Sequence, residues 1–211
     1  MGYIKSEKKN NVTKDRKTIY IFRMDRDITD ECLEKLKIYW SVFFSQIEVK
    51  ILDQELDITR SRKYNITTRT SRETGQIQYL ATDILDLIQD HYLPDDAYCV
   101  IGIINQDLYP KPGWNFVFGC SRLKHRTGIF SFARYYWNLE DRTREEIDKI
   151  VIYRACKTMS HEIGHMFGVR HCIYHEWLMN GSNKIEEADL KPLLLCPVWL
   201  RKFHYNIGFD I

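Results

Sequence analysis

No stretch of this sequence is apolar for long enough to cross a membrane; the run Tyr98–Ile104 is strand-sized. Neither sign of charge dominates. Lys and Arg number 31 against 29 Asp and Glu, a formal net charge of +2. That excess is too small to argue for the concentrated basic surface by which proteins hold nucleic acid or anionic membranes. The first residues, MGYIKSEKKNN, carry charge but no apolar core, which argues against a secretory signal peptide. Without secretion, the glycosylation matches at Asn11 and Asn65 are idle, and the six cysteines are expected as thiols. The expected compartment is then the cytoplasm, with the nucleus also open. Met1-Gly2-Tyr3-Ile4-Lys5-Ser6 fits the loose N-myristoylation pattern, but a bulky tyrosine directly after the glycine favours coincidence. Internal repeats, low-complexity tracts and linkers are absent too, so the expectation is a tail over 1–16 and one domain over 17–211.

What remains is an ordinary globular composition, 44% hydrophobic and 28% charged. Thr18–Arg23 reads as a first strand, 31–44 as an amphipathic helix capped by Asp27 or Thr29, and 47–52 as a second strand. Their order predicts a parallel strand–helix–strand unit. The polar segment 53–74 carries Arg60, Arg62, Lys63, Arg69 and Arg72. With acidic residues interspersed and no phosphate-type glycine loop, it reads as a solvated loop. The apolar spacing over 76–91 predicts one helix, and Ala97–Ile104 a buried central strand. Residues 107–114 read as a turn-rich loop. The aromatic segments 115–120 and 128–135 read as a hairpin, after which a long helix begins near 142–146.

That helix leads into His161–Met179, HEIGHMFGVRHCIYHEWLM. His161, Glu162 and His165 complete the zinc-hydrolase signature H-E-x-x-H, and Gly168, His171 and Met179 extend it to the metzincin pattern. Residues four apart share a helix face, so His161 and His165 can meet one ion. Glu162 hangs beside that ion as a general base. Gly168 can end the helix in a left-handed turn that delivers His171 as third ligand. Three protein ligands and one open position describe a catalytic zinc, not a structural one. The expected activity is peptide-bond hydrolysis through a zinc-bound water with Glu162 as base. His91, His125 and His204 are isolated and read as surface or satisfied histidines.

At this point the sequence resembles the archaemetzincin family of zinc metallopeptidases, most of all its animal, archaemetzincin-2-like branch. The likeness runs from the first strand to Phe209 through DLYP at Asp107, WNFVFG at Trp114, GIFSFARY at Gly128, CKTMSHEIGHMFGVRHC at Cys156 and EEADLKPLLLCP at Glu186. It implies an α+β, zincin-like fold: a mixed twisted sheet with an active-site helix in an upper lobe (about 17–168), and a small lower lobe (about 169–211). It makes His161, His165 and His171 the zinc ligands, Glu162 the general base and Met179 the floor of a Met-turn. It also implies an edge strand that aligns a peptide substrate, for which Asn115, Phe116, Val117, Phe118 and Gly119 are the candidates. Short peptides and aminopeptidase-like action are suggested by the resemblance alone. The rival expectation is a weak or inactive zinc- or peptide-binding relative.

The resemblance breaks at a second metal site. Archaemetzincins carry four cysteines for a structural zinc, whereas this chain keeps Cys172 and Cys196 and has Trp177 and Trp199 at the partner positions. Either His175 and His204 substitute, or the site has become an apolar plug of two tryptophans and reduced thiols. Two thiolates cannot close a tetrahedral site, so the plug is favoured, with one zinc per chain expected. The segment 136–150 is also shorter than in the animal branch.

Overall fold

The structure, a computed structural model, describes residues 12–61, 63–122, 124–173 and 176–207; the Gly2 modification pattern, His175 and Phe209 fall outside them. Five strands form the main sheet, in the order β2 (Glu48–Ile51), β1 (Thr18–Arg23), β5 (Ala97–Ile104), β8 (Thr127–Ser131) and β7 (Gly119–Arg122). All pairings are parallel except β7–β8. The first three elements are as expected: β1, then α1 (Asp30–Phe43) capped by the Thr29 side chain, then β2 parallel to β1.

β5 is buried at all eight positions because it lies mid-sheet with both faces covered. Its Cys99, Ile101 and Ile103 pack towards α1 and α3 (Arg144–Met166). Val100 and Ile104 pack with α2 (Ala81–His91) on the other face. Two hydrophobic layers therefore sandwich one sheet, and the mixed α+β architecture holds the long helix α3 against the β7 edge.

Three expectations are corrected. The single helix over 76–91 divides into β4 (Ile77–Leu80) and α2. Ile77 and Leu80 have helical spacing, yet Ile77 is 56% exposed and Gln78 is 1% exposed, the alternation of a strand. Gln78 donates to Asp107 Oδ2 at 2.8 Å, so distant pairing overrides local periodicity. Second, the loop at 107 starts as β6 (Asp107–Tyr109), parallel to β4, and the loop 53–74 contributes β3 (Thr68–Thr70), antiparallel to β4, completing a three-stranded sheet. Third, the hairpin exists but is displaced along the chain: β7 starts at Gly119 and β8 stops at Ser131. Asn115–Phe118 precede the strand, with Val117 in an isolated bridge to Leu108. Aromatic content marked the wrong residues, because GCSR becomes a strand through its partner β8 and not through propensity.

After α3 the chain forms α4 (Ile185–Leu190) and α5 (Pro197–Ile207). Arg154 of α3, 5% exposed, clasps both Asp189 oxygens at 3.0 and 2.6 Å and donates to the carbonyls of Tyr135 and Trp137. Lys157 donates to the carbonyls of Ala188 and Asp189. Helix α3 thus anchors α4 with two cations. No helix among the described residues is long and apolar enough to cross a membrane.

Candidate metal centre

Helix α3 begins with a reciprocal capping box between Thr143 and Glu146 and runs 23 residues, so its last turns are set by a well-anchored start. Its C-terminal turns carry His161, Glu162 and His165. The chain then leaves the helix at Gly168, whose φ of +80° few other residues adopt without strain. Gly168 donates to His165 O and Val169 to Gly164 O, closing the helix end and reversing the chain towards His171.

The three imidazoles converge. His165 Nε2 lies 3.0 Å from His161 Nε2, and His171 Nε2 lies 3.2 Å from the same atom. His161 Nδ1 sits 2.9 Å from Leu178 O, and His165 Nδ1 sits 2.6 Å from Val169 O. A carbonyl only accepts, so both Nδ1 atoms carry the proton and both Nε2 atoms present lone pairs to each other. Lone pairs aimed together at this distance repel unless a cation stands among them. Burial lowers the pKa of all three histidines, His161 furthest, with His165 adding to the effect. They are held neutral, the form that ligates a metal. Among the described residues this is the one group of His, Cys, Asp or Glu with three or more ligand atoms inside 4.8 Å. The residues fit a zinc ion.

Glu162 is 6% exposed and faces the β7 edge. Ser121 of β7 donates to its Oε2 at 2.6 Å. Burial pushes its carboxyl up to about 7, opposed by the Ser121 bond and by Lys191. Met179 is fully buried, and a Cβ on Gly164 would fall 2.6 Å from its sulfur, so the helix has no side chain where the methionine packs beneath the site. The 172–179 loop is closed by Cys172 N donating to Met179 O at 2.8 Å.

Of the second-site candidates, Cys172, Cys196 and Trp199 are buried in the main core and Trp177 packs partly buried against it. Lys202 lies 3.6 Å from the Trp199 ring centroid. Sequence reasoning missed Ser121 and Lys191. Ser121 stands two residues after Gly119, a spacing that carries meaning only once β7 is known to be a strand. Lys191 is half-buried, donates to Asn180 O at 2.5 Å, and has its pKa lowered to about 8, first by burial and then by Lys157.

The profile of Peptidase family M54 matches residues 58–204. Human archaemetzincin-2 is 38% identical over 210 residues, which cover 88% of this chain and 57% of that protein. Archaemetzincin-2 of Macaca fascicularis is 36% identical over 93% of this chain and 61% of its own length. The chain therefore spans about three fifths of these relatives. Among solved structures, the Archaeoglobus fulgidus archaemetzincin, crystallised with malonate, superposes with a TM-score of 0.66 at 28% identity, covering 88% of this chain and 99% of that one. The Methanopyrus kandleri archaemetzincin gives 0.67 at 25% identity, covering 93% and 98%.

Proposed function

The chain belongs to peptidase family M54, the archaemetzincin family, and from that membership we propose a zinc-dependent metallopeptidase that hydrolyses peptide bonds. The observation that carries this reading is the convergence of three neutral imidazoles beside one buried carboxylate. A zinc ion held by His161, His165 and His171 supplies Lewis acidity for a scissile carbonyl and lowers the pKa of water towards roughly 7. Glu162 takes the proton of the attacking water and hands it to the leaving amine. The edge of β7, unpaired among the described residues, runs beside α3 and is suited to align an extended peptide by main-chain pairing; of the five residues expected in that role, only Gly119 lies within it. Met179 serves as the apolar floor. Residues 17–211 are read as one catalytic domain. Aminopeptidase-like action on short peptides rests on the family resemblance alone.

For the second site, the burial of Trp199 and both cysteines supports the tryptophan plug over a rebuilt zinc site. His204 joins no three-ligand group among the described residues.

The reading is tested with the zinc-loaded protein and a mixed peptide library. Cleavage should be chelator-sensitive, and Glu162→Gln should retain zinc while losing at least about 100-fold in turnover, the usual contribution of a general base. Wild-type turnover in Glu162→Gln would defeat the mechanism. Zinc binding without any cleavage by the wild type would favour the inactive binder.

A further inference from the structure

Strand geometry divides β7 by residue parity. Cys120 packs with the α2 layer, and Arg122 pairs with Asp86 and donates to Thr82 O of that helix. Gly119 and Ser121 point the other way, towards α3, as alternation requires. Both meet Glu162. A Cβ on Gly119 would stand 2.8 Å from Glu162 Cγ and 3.0 Å from Oε1, so the carboxylate occupies the space a side chain would need. The φ of Gly119 is not positive, which leaves space as the reason for glycine here. Two positions on, the Ser121 hydroxyl donates to Oε2 at 2.6 Å, within the range of a charge-assisted O–H···O⁻ bond.

We propose that Ser121 is a positioning residue for Glu162. Its hydroxyl engages one carboxylate oxygen and leaves Oε1, which makes no such bond among the described residues, for the attacking water. The terminal torsion of a glutamate is broad and roughly two-fold, so the carboxylate needs an external contact to fix its plane. β7 supplies that contact, and its outer main-chain edge is the one that would pair with the substrate. One strand therefore sets both the base and the bond to be cut, and their separation does not depend on loop motion. This inference rests on the peptidase reading, and the test keeps the two separable.

The variants are Ser121→Ala, Ser121→Thr and Gly119→Ala, each loaded with zinc and compared with wild type and Glu162→Gln. The substrate is the internally quenched peptide that the wild type cleaves fastest, and affinity for a peptide hydroxamate is measured by calorimetry. Ser121→Ala should lose about tenfold in kcat, with KM and zinc content near wild type, because a misplaced catalytic group costs rate before it costs binding. Ser121→Thr, which keeps the hydroxyl on a residue suited to strands, should recover most of that loss. Gly119→Ala should lower kcat further by displacing the carboxylate itself. Ser121→Ala within about twofold of wild type overturns the proposal, as does a loss of kcat that tracks loss of zinc. If the wild type cleaves no peptide, the peptidase reading fails, and hydroxamate affinity then decides the role of Ser121. A fall shared by Ser121→Ala and Glu162→Gln supports positioning; unchanged affinity in Ser121→Ala overturns it.

Discussion

At Lys191 a half-buried ammonium sits between the Met179–Asn180 turn and the Glu162 side of the cleft. Its ordinary pKa of 10.5 falls to about 8 in the folded chain, chiefly because burial disfavours the charge. Between those two values the unfolded chain binds more protons than the folded one at this position, so stability from this group rises with pH. Relative to Lys191→Met, the wild type should therefore gain stability as pH climbs from about 8 to 10.5. Denaturant midpoints of the two proteins across that window check the sign, and parallel pH curves would show that Lys191 titrates normally. Nothing in the sequence marks this lysine among 31 basic residues, because its surroundings, the Asn180 carbonyl and the charges of Lys157 and Glu162, come from distant parts of the chain. The zinc triad is the opposite case. His161 and His165, four apart, share a helix face wherever that helix lies, and Glu162 follows beside them, so local geometry was enough to read them.

The elements differ in how far local chemistry decides them. β1, α1, β5 and α3 were legible because each has a strong period or a continuous apolar run, reinforced by Thr29 and the Thr143–Glu146 capping box. β4, β6 and β7 were not, since three or four residues each gain their strand character from their partners, β4 and β6 from each other across about 29 positions and β7 from the neighbouring β8. α3 also carries an unforeseen load. Arg154 has the spacing of an apolar-face residue, and it is buried, but as one half of a bidentate pair with Asp189 of α4. Removing the partner leaves a guanidinium 5% exposed with only carbonyl acceptors. Asp189→Ala should destabilise the fold by about 2 kcal/mol, below the usual 3–5 for breaking a buried pair because the Asp189 side chain is 39% exposed. Urea unfolding measures this directly; a change under about 0.5 kcal/mol would mean that the carbonyls alone satisfy Arg154.

For the whole molecule, the open matter is how the part after Gly168 holds together. Cys172, Cys196 and Trp199 lie in the same hydrophobic layer as α1, α3 and β5, so burial can substitute for coordination there. Purified protein should accordingly carry about one zinc per chain, read by elemental analysis, and two would overturn the plug. That one zinc joins groups on both sides of the Gly168 turn, so chelation should lower the melting temperature as well as stop hydrolysis, by the mass action that couples ligand to fold. An unchanged melting curve would separate the metal from the fold.

The sequence by itself determined that three histidines and a glutamate come together and where the chain turns to bring in the third histidine. These depend on spacing within one helix and one loop, where covalent distance already sets who meets whom. Only the tertiary structure decided which strand lies at the sheet edge beside α3, that Ser121 reaches Glu162, and that Arg154 is buried and Lys191 half-buried. Those contacts join residues 35, 41 or more positions apart or depend on several packed elements, and no local period encodes such a meeting.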